Sequence, residues 1–372
     1  MIDTVPNTST LAARLRERIR SDGPIPFCDW MRAALYDRQD GYYCRSDRIR
    51  WGRKGDYRTS PERSSLFAAT FARYFASLYE ELGRPASWTI VEAGAGEGHF
   101  AGGLLQTLQR SFPDVFRATS YVINEVSSDS RALARERLKV FADRVEFRPL
   151  IDIEIDRGVV FSNELLDAFP VHLVTMKDGR LQEFYVAVGD DGKFEWLLGR
   201  LAPKTSARLL KCFEEWALEL PDGVLVEVGL EIEDWLAKVA AKIQKGYLVT
   251  VDYGTVVEDP YSGPANRNGT LRGFSRHKLV DDLLAVPGEQ DLTTSVNWSL
   301  VKRAGVRLGL EVKEFERQDR FLLAVGFLEQ LAIESRECGD DSDRLRLAIA
   351  AREMILPGGM ASHFQVLVQK KS

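Results

Sequence analysis

The stretch Thr89-Ile-Val-Glu-Ala-Gly-Ala-Gly-Glu-Gly-His-Phe100 decides the fold. The apolar run from Trp88 to Val91 suits a parallel strand covered on both faces. Gly94, Gly96 and Gly98 follow at every second position, and Phe100, Leu104, Leu105 and Leu108 then recur at helical spacing. Strand, glycine turn and helix make a nucleotide-type binding loop. Glycine lets the backbone turn tightly and lets a ligand approach main chain that carries no Cβ.

The residues around the glycines separate two ligands. A dinucleotide fingerprint, G-x-G-x-x-G, offers helix N-terminal amides to a pyrophosphate. Here His99 stands at the third glycine's place, and Glu92 at the strand's end would repel a pyrophosphate. A carboxylate there suits a ligand carrying an ammonium or sulfonium. E-x-G-x-G-x-G resembles motif I of class I S-adenosylmethionine (SAM) methyltransferases. The bland alternative is a glycine-rich turn that binds nothing. A second strand, Ser120 to Val126, places Glu125 where doubly wound folds bind ribose hydroxyls, although a solvated loop carboxylate would look the same in sequence. Asp152 or Ile153, after a candidate strand Val145 to Arg148, falls where such folds contact an adenine.

A further strand, Gly158 to Glu164, runs into Leu165-Leu-Asp-Ala-Phe-Pro-Val-His172. Strands one and four flank the point where strand order reverses, so Asn163, Glu164 and Asp167 are expected near the cofactor's reactive end. Two carboxylates and an amide suit a guanidinium. The alternative is an acid stabilising a helix N-terminus.

Upstream, two helices are expected, one capped by Thr10 with Leu11, Leu15 and Ile19 buried, the other burying Phe27, Trp30, Met31, Ala34 and Leu35. The polar stretch Trp51 to Glu62, which includes Asp56, precedes a helix Ser65 to Leu82 and reads either as a lid over the ligand or as a surface turn. Leu173 to Leu198 alternates between Asp-Gly turns, which predicts an antiparallel meander inserted in the core. Two helices (207–220 and 231–243) and a fifth core strand (246–254) follow. Arg272, His277 and Asp291 lie in polar segments read as loops, where they bind substrate or fix the loops. The C-terminal part reads as a strand at 310–316, helices at 321–335 and 343–355, and a last strand at 365–369. The expected division is a helical region with its lid over 1–85 and a Rossmann-like domain over 86–372, with an insertion at about 172–245 and loops at about 255–298.

The chain has 372 residues and a net charge of −5, which gives no basic field for nucleic acid. Its four cysteines and four histidines show no metal spacing, so no metal is expected, and the thiols point to a reducing compartment. No apolar run reaches membrane length, and the N-terminus shows no signal-peptide core. The arginines of Leu11 to Arg20 would suit a transit peptide, but Glu17 and the early start of the family resemblance given below speak against one, so a cytoplasmic protein with no membrane partner is the expectation.

Several segments resemble the MidA-like family of SAM-dependent methyltransferases: Gly52 to Glu62, Glu92 to Gly98, Asn163-Glu-Leu-Leu-Asp-Ala-Phe-Pro-Val-His172, Pro287 to Thr293 and Leu356 to Leu367. The family includes the mitochondrial complex I assembly factor that methylates an arginine in a subunit of that complex. The resemblance implies an α/β class I SAM-methyltransferase, Rossmann-like fold, with a seven-stranded, mostly parallel sheet. It implies SAM held by Glu92, Gly94, Gly96, Gly98, Glu125, Asp152 and Asn163, with loop contacts at Gly55, Thr59 and Pro61. Asn163, Glu164 and Asp167 would serve transfer to a protein arginine, in a respiratory-complex subunit, and the enzyme is expected as a homodimer. Two rival functions stay open: a non-catalytic SAM-binding assembly factor and a nicotinamide-dependent oxidoreductase.

Overall fold

The structure, a computed structural model, describes residues 10–45, 64–216, 220–255, 268–275, 278–356 and 363–372. Along the chain the strands are β1 (Ile25–Pro26), β2 (Trp88–Ala93), β3 (Thr119–Asn124), β4 (Val145–Phe147), β5 (Ile155–Asn163), β6 (His172–Lys177), β7 (Arg180–Val188) and β8 (Phe194–Arg200). They continue as β9 (Leu225–Val228), β10 (Ile243–Thr255), β11 (Arg272–Ser275), β12 (Lys278–Val280), β13 (Asp291–Thr293), β14 (Val296–Asn297), β15 (Glu311–Arg317) and β16 (Phe364–Lys371).

The chain divides into two compact units: Met1–Arg48, Ala168–Ile232 and Glu258–Ser295 form one, and Ile49–Asp167, Glu233–Val257 and Val296–Ser372 the other. The second holds the central sheet, ordered β4-β3-β2-β5-β10-β16-β15, with the two-residue β14 beside β10. β4, β3, β2, β5 and β10 run parallel, whereas β16 is antiparallel to both β10 and β15. The seven strands expected are therefore present, in the order of a class I methyltransferase. β3 and β4 lie to one side of β2, and β5 and β10 to the other. The order reverses there, at the carboxyl ends that bear Ala93 and Asn163.

One face of this sheet is closed by aromatic packing. Ser64 caps the helix Ser65–Glu81, its hydroxyl accepting from the Leu66 amide at 3.1 Å. Phe67, Phe71 and Phe75 recur every fourth residue along that helix and are fully buried. They meet Phe100 of the helix His99–Ser111 and Phe161 of β5, whose rings stack on each other at 4.0 Å. This packing puts the helix inside the sheet's own unit. The division expected at residue 85 is thus not where the chain divides.

The other unit carries an antiparallel sheet in which β7 pairs with β6, β8 and β1, and β6 pairs with β9. The hairpin between β6 and β7 turns at Asp178 and Gly179, both with positive φ (51° and 68°). Residues read as loops form a small sheet, β12-β11-β13. The helix expected over 321–335 is two, Gln318–Ala324 and Phe327–Glu337, separated at Gly326 with φ +99°. That left-handed conformation is what favours glycine there, since a side chain with a Cβ rarely adopts it. Among the described residues no helix is long and apolar enough to cross a membrane, and no cluster of histidine, cysteine or carboxylate side chains could hold a metal.

Candidate active site

The glycine loop adopts the conformation its sequence requires. Gly94, Gly96 and Gly98 have φ of +72°, +52° and +76°, a region that side chains with a Cβ rarely enter. The Gly94 amide donates to the Asn124 carbonyl at 2.8 Å, joining the ends of β2 and β3. The Gly96 amide donates to Glu125 Oε2 at 2.9 Å, and the Ser127 amide to Oε1 at 2.8 Å. Glu125 is therefore fixed at the loop's rim rather than free in a solvated turn. Burial raises its pKa, while the Ser127, Gly96 and Val126 amides and the Arg131 guanidinium oppose that rise. A Cβ on Gly94 would come within 2.9 Å of Leu165 Cδ1, so the loop lies directly against the turn that follows β5.

Glu92 sits one residue before the end of β2, 4% exposed, and accepts a hydrogen bond from Tyr121 Oη at 2.6 Å. Burial, reinforced by the charge on Glu125 and opposed by the Tyr121 hydroxyl, pushes its pKa up to about 8. A cation placed against this carboxyl would favour its charged form and draw the pKa back down. Asp152 ends the short turn Leu150–Asp152 and is exposed, while Ile153 beside it is buried.

The turn after β5 is the second half of the site. Glu164 has φ +51° and donates its amide to the Val251 carbonyl at 2.9 Å. Asn163 Nδ2 donates to Glu164 Oε1 at 3.1 Å, and Asn163 Oδ1 is buried without a hydrogen-bond partner. Asp252, near the end of β10, accepts on one oxygen from the amides of Leu165, Leu166 and Asp167 at 3.2, 2.9 and 3.3 Å. Its other oxygen accepts from the Tyr253 amide at 2.9 Å. Tyr253 Oη donates to Asp167 Oδ2 at 2.5 Å. Burial, and then the neighbouring Asp167 and Glu164 carboxylates, raise the pKa of Asp252 despite those amides. Two buried acids and the half-buried Glu164 thus share one site, an arrangement that favours a bound cation.

Asn163, Glu164 and Asp167 are accordingly brought together beside the glycine loop, with Glu92 and Glu125 at the loop's base and rim. Gly55, Thr59 and Pro61, with Asp56, Glu62 and His277, lie outside the described residues. In the other unit, Asp291 opens β13, is buried and accepts from Tyr43 Oη at 2.8 Å, and Arg272 opens β11 in an exposed position. His172 is buried, its Nδ1 2.6 Å from Glu183 Oε1. Sequence reasoning missed Tyr121, Asp252 and Tyr253. For Asp252 a signal existed: an acid closing the apolar run Tyr247 to Val251, which a buried strand tolerates only if the carboxylate has partners.

This donor set fits SAM on the chain's own terms. The positive-φ glycines present main chain without side chains, a fixed carboxylate stands at the rim for hydroxyl groups, and a buried acid stands where a cationic group would draw off its proton.

Known proteins agree. A family model described as "Putative S-adenosyl-L-methionine-dependent methyltransferase" matches residues 70–316. A crystal structure from Burkholderia thailandensis, bound to S-adenosylhomocysteine, is 32% identical, covers 97% of this chain and 92% of its own, and superposes with a TM-score of 0.84. The protein arginine methyltransferase NDUFAF7 of Homo sapiens is 29% identical over 78% of this chain and 67% of its own length. Its Drosophila melanogaster homologue is 28% identical over 79% and 69%. Both curated relatives are named as mitochondrial proteins, which overturns the cytoplasmic expectation; the signals it rested on, composition and a single acid, Glu17, among the arginines of residues 11–20, do not distinguish those compartments. The chain is a SAM-dependent methyltransferase, and it belongs to the MidA-like family.

Proposed function

We propose that this enzyme transfers a methyl group to a protein arginine, with Glu164 and Asp167 holding the guanidinium. The observation that carries the proposal is the acidic turn Glu164 to Asp167, set against the glycine loop and itself held by Asp252 and Tyr253. A guanidinium is planar, cationic and matched to carboxylates, and it loses its proton only with difficulty. A methyl acceptor needs a localised lone pair, so the protein must orient one nitrogen and accept its proton. In this reading Glu164 fixes the plane of the guanidinium. Asp167, steadied by the Tyr253 hydroxyl on Oδ2, takes the proton. Asn163 holds Glu164 in place.

Glu92, the three glycines and Glu125 would hold the cofactor, with Glu92 facing its cationic part and Glu125 its ribose. Asp152 would face the adenine. When bound, SAM supplies an electrophilic methyl on a sulfonium. The chain's own contribution is alignment and exclusion of water, worth several powers of ten in rate. The relatives named as arginine methyltransferases support the choice of acceptor. A respiratory-complex subunit as the acceptor and a homodimeric enzyme complete the proposal; light scattering tests the latter.

The test is labelled SAM incubated with cell lysate and either the wild type or Glu164→Gln. A labelled protein band with the wild type only, at equal affinity of both for S-adenosylhomocysteine, supports the reading. Equal labelling by the variant removes Glu164 from the transfer.

A further inference from the structure

We propose that Asp252 is a positioning residue for methyl transfer: it sets the turn Leu165–Asp167 so that Glu164 and Asp167 face one acceptor nitrogen. This rests on the reading of those two acids given above.

The geometry is specific. One carboxylate oxygen of Asp252 takes three successive amides, from Leu165, Leu166 and Asp167, and the other takes the Tyr253 amide. Three consecutive amides converging on one oxygen fix the backbone as a helix N-terminus is fixed by its cap. The cap here comes from another strand, because β10 lies beside β5 with Val251 opposite Asn163. The Glu164 amide is tied to the Val251 carbonyl, one residue before Asp252. Glu164, with φ +51°, thus sits between that tie and the Asp252 carboxylate's hold on the next amide, that of Leu165. The next residue along β10, Tyr253, then reaches Asp167. A single dipeptide, Asp252-Tyr253, thereby holds Leu165 to Asp167, and Val251 just before it ties Glu164. Neither residue needs to touch the reacting atoms to control where the two acids stand.

A residue that served stability alone would lower cofactor affinity and folding together when replaced. A positioning residue separates them. Displacing a reacting group by about 1 Å costs on the order of a hundredfold in rate. Asp252→Leu removes every acceptor at similar volume, and Asp252→Asn keeps one oxygen for the three amides but turns an N–H toward the Tyr253 amide. The full-length variants should bind S-adenosylhomocysteine by calorimetry within about threefold of wild type. Labelling of the lysate band that the wild type methylates should fall on the order of a hundredfold in Asp252→Leu and less in Asp252→Asn. Crystal structures of the variants should show Glu164 released from positive φ.

An unchanged turn in those crystals, or labelling at the wild-type rate, overturns the proposal. Should Asp252→Leu fail to fold, Asp252→Asn decides by the same measurements. A wild type that labels nothing sinks the transfer reading instead, and the crystal structures still decide whether Asp252 sets the turn.

Discussion

Glu164 shares positive φ with only two other described non-glycine residues, Arg84 and Asp178. Those two lie at a helix end and a hairpin tip, where such conformations are common. Glu164 lies at the end of a central strand, where nothing about chain reversal demands it. Strain of this kind costs about 1–3 kcal/mol and persists where surrounding contacts impose it. Glu164→Gly should therefore gain about 1 kcal/mol in stability, by chemical denaturation, while methyl transfer is lost. A variant that is less stable would show that the conformation carries no strain. Gly96→Val faces the opposite problem, since Gly96 has φ +52° and its amide anchors Glu125. It should abolish binding of S-adenosylhomocysteine by calorimetry; retained affinity would show that the loop does not receive the cofactor. Both glycine and acid were legible from residue types and spacing. For Asp252 the sequence marks an acid at the end of a buried strand but not its role, because the amides it holds lie more than eighty residues earlier and meet it only through the sheet.

Strand β2 places a carboxyl where burial holds its proton to about pH 8, against an ordinary value of 4.5. Between those values the folded chain keeps a proton that the unfolded chain has released, so rising pH costs the fold up to about 1.4 kcal/mol per unit. Glu92→Gln removes that cost and can still accept from Tyr121. Its stability relative to wild type should therefore increase from pH 5 to pH 8 by thermal melts; a constant difference would mean that Glu92 titrates normally. The helix Ser65–Glu81 makes a separate claim. Phe71→Ala, which opens a hole between Phe75, Phe100, Phe161 and Phe321, should cost about 3–5 kcal/mol. A cost below 1 kcal/mol would argue that the helix stands apart from the sheet. Long periodic elements such as this one were legible, as were the parallel strands. The short strands β9, β11, β12 and β13 were not, because three or four residues carry too little alternation to separate a strand from a loop. Gly326 shows the limit in helices: the apolar pattern continues through it, and only its left-handed backbone reveals the break.

At the scale of the molecule, the class I strand order followed from the glycine loop and the placing of two acids. The division into units did not. The N-terminal helices belong to one unit with the inserted antiparallel strands, segments distant in sequence whose association no local pattern announces. The sheet's unit contains every acid proposed for catalysis together with the glycine loop. The central claim, an arginine acceptor held by those acids, is tested most directly by mass spectrometry of the protein that the enzyme labels with SAM. The account predicts a methyl group on an arginine guanidinium nitrogen of that protein, absent when Glu164→Gln replaces the wild type. A methyl group found on lysine, glutamine or a carboxylate would contradict it.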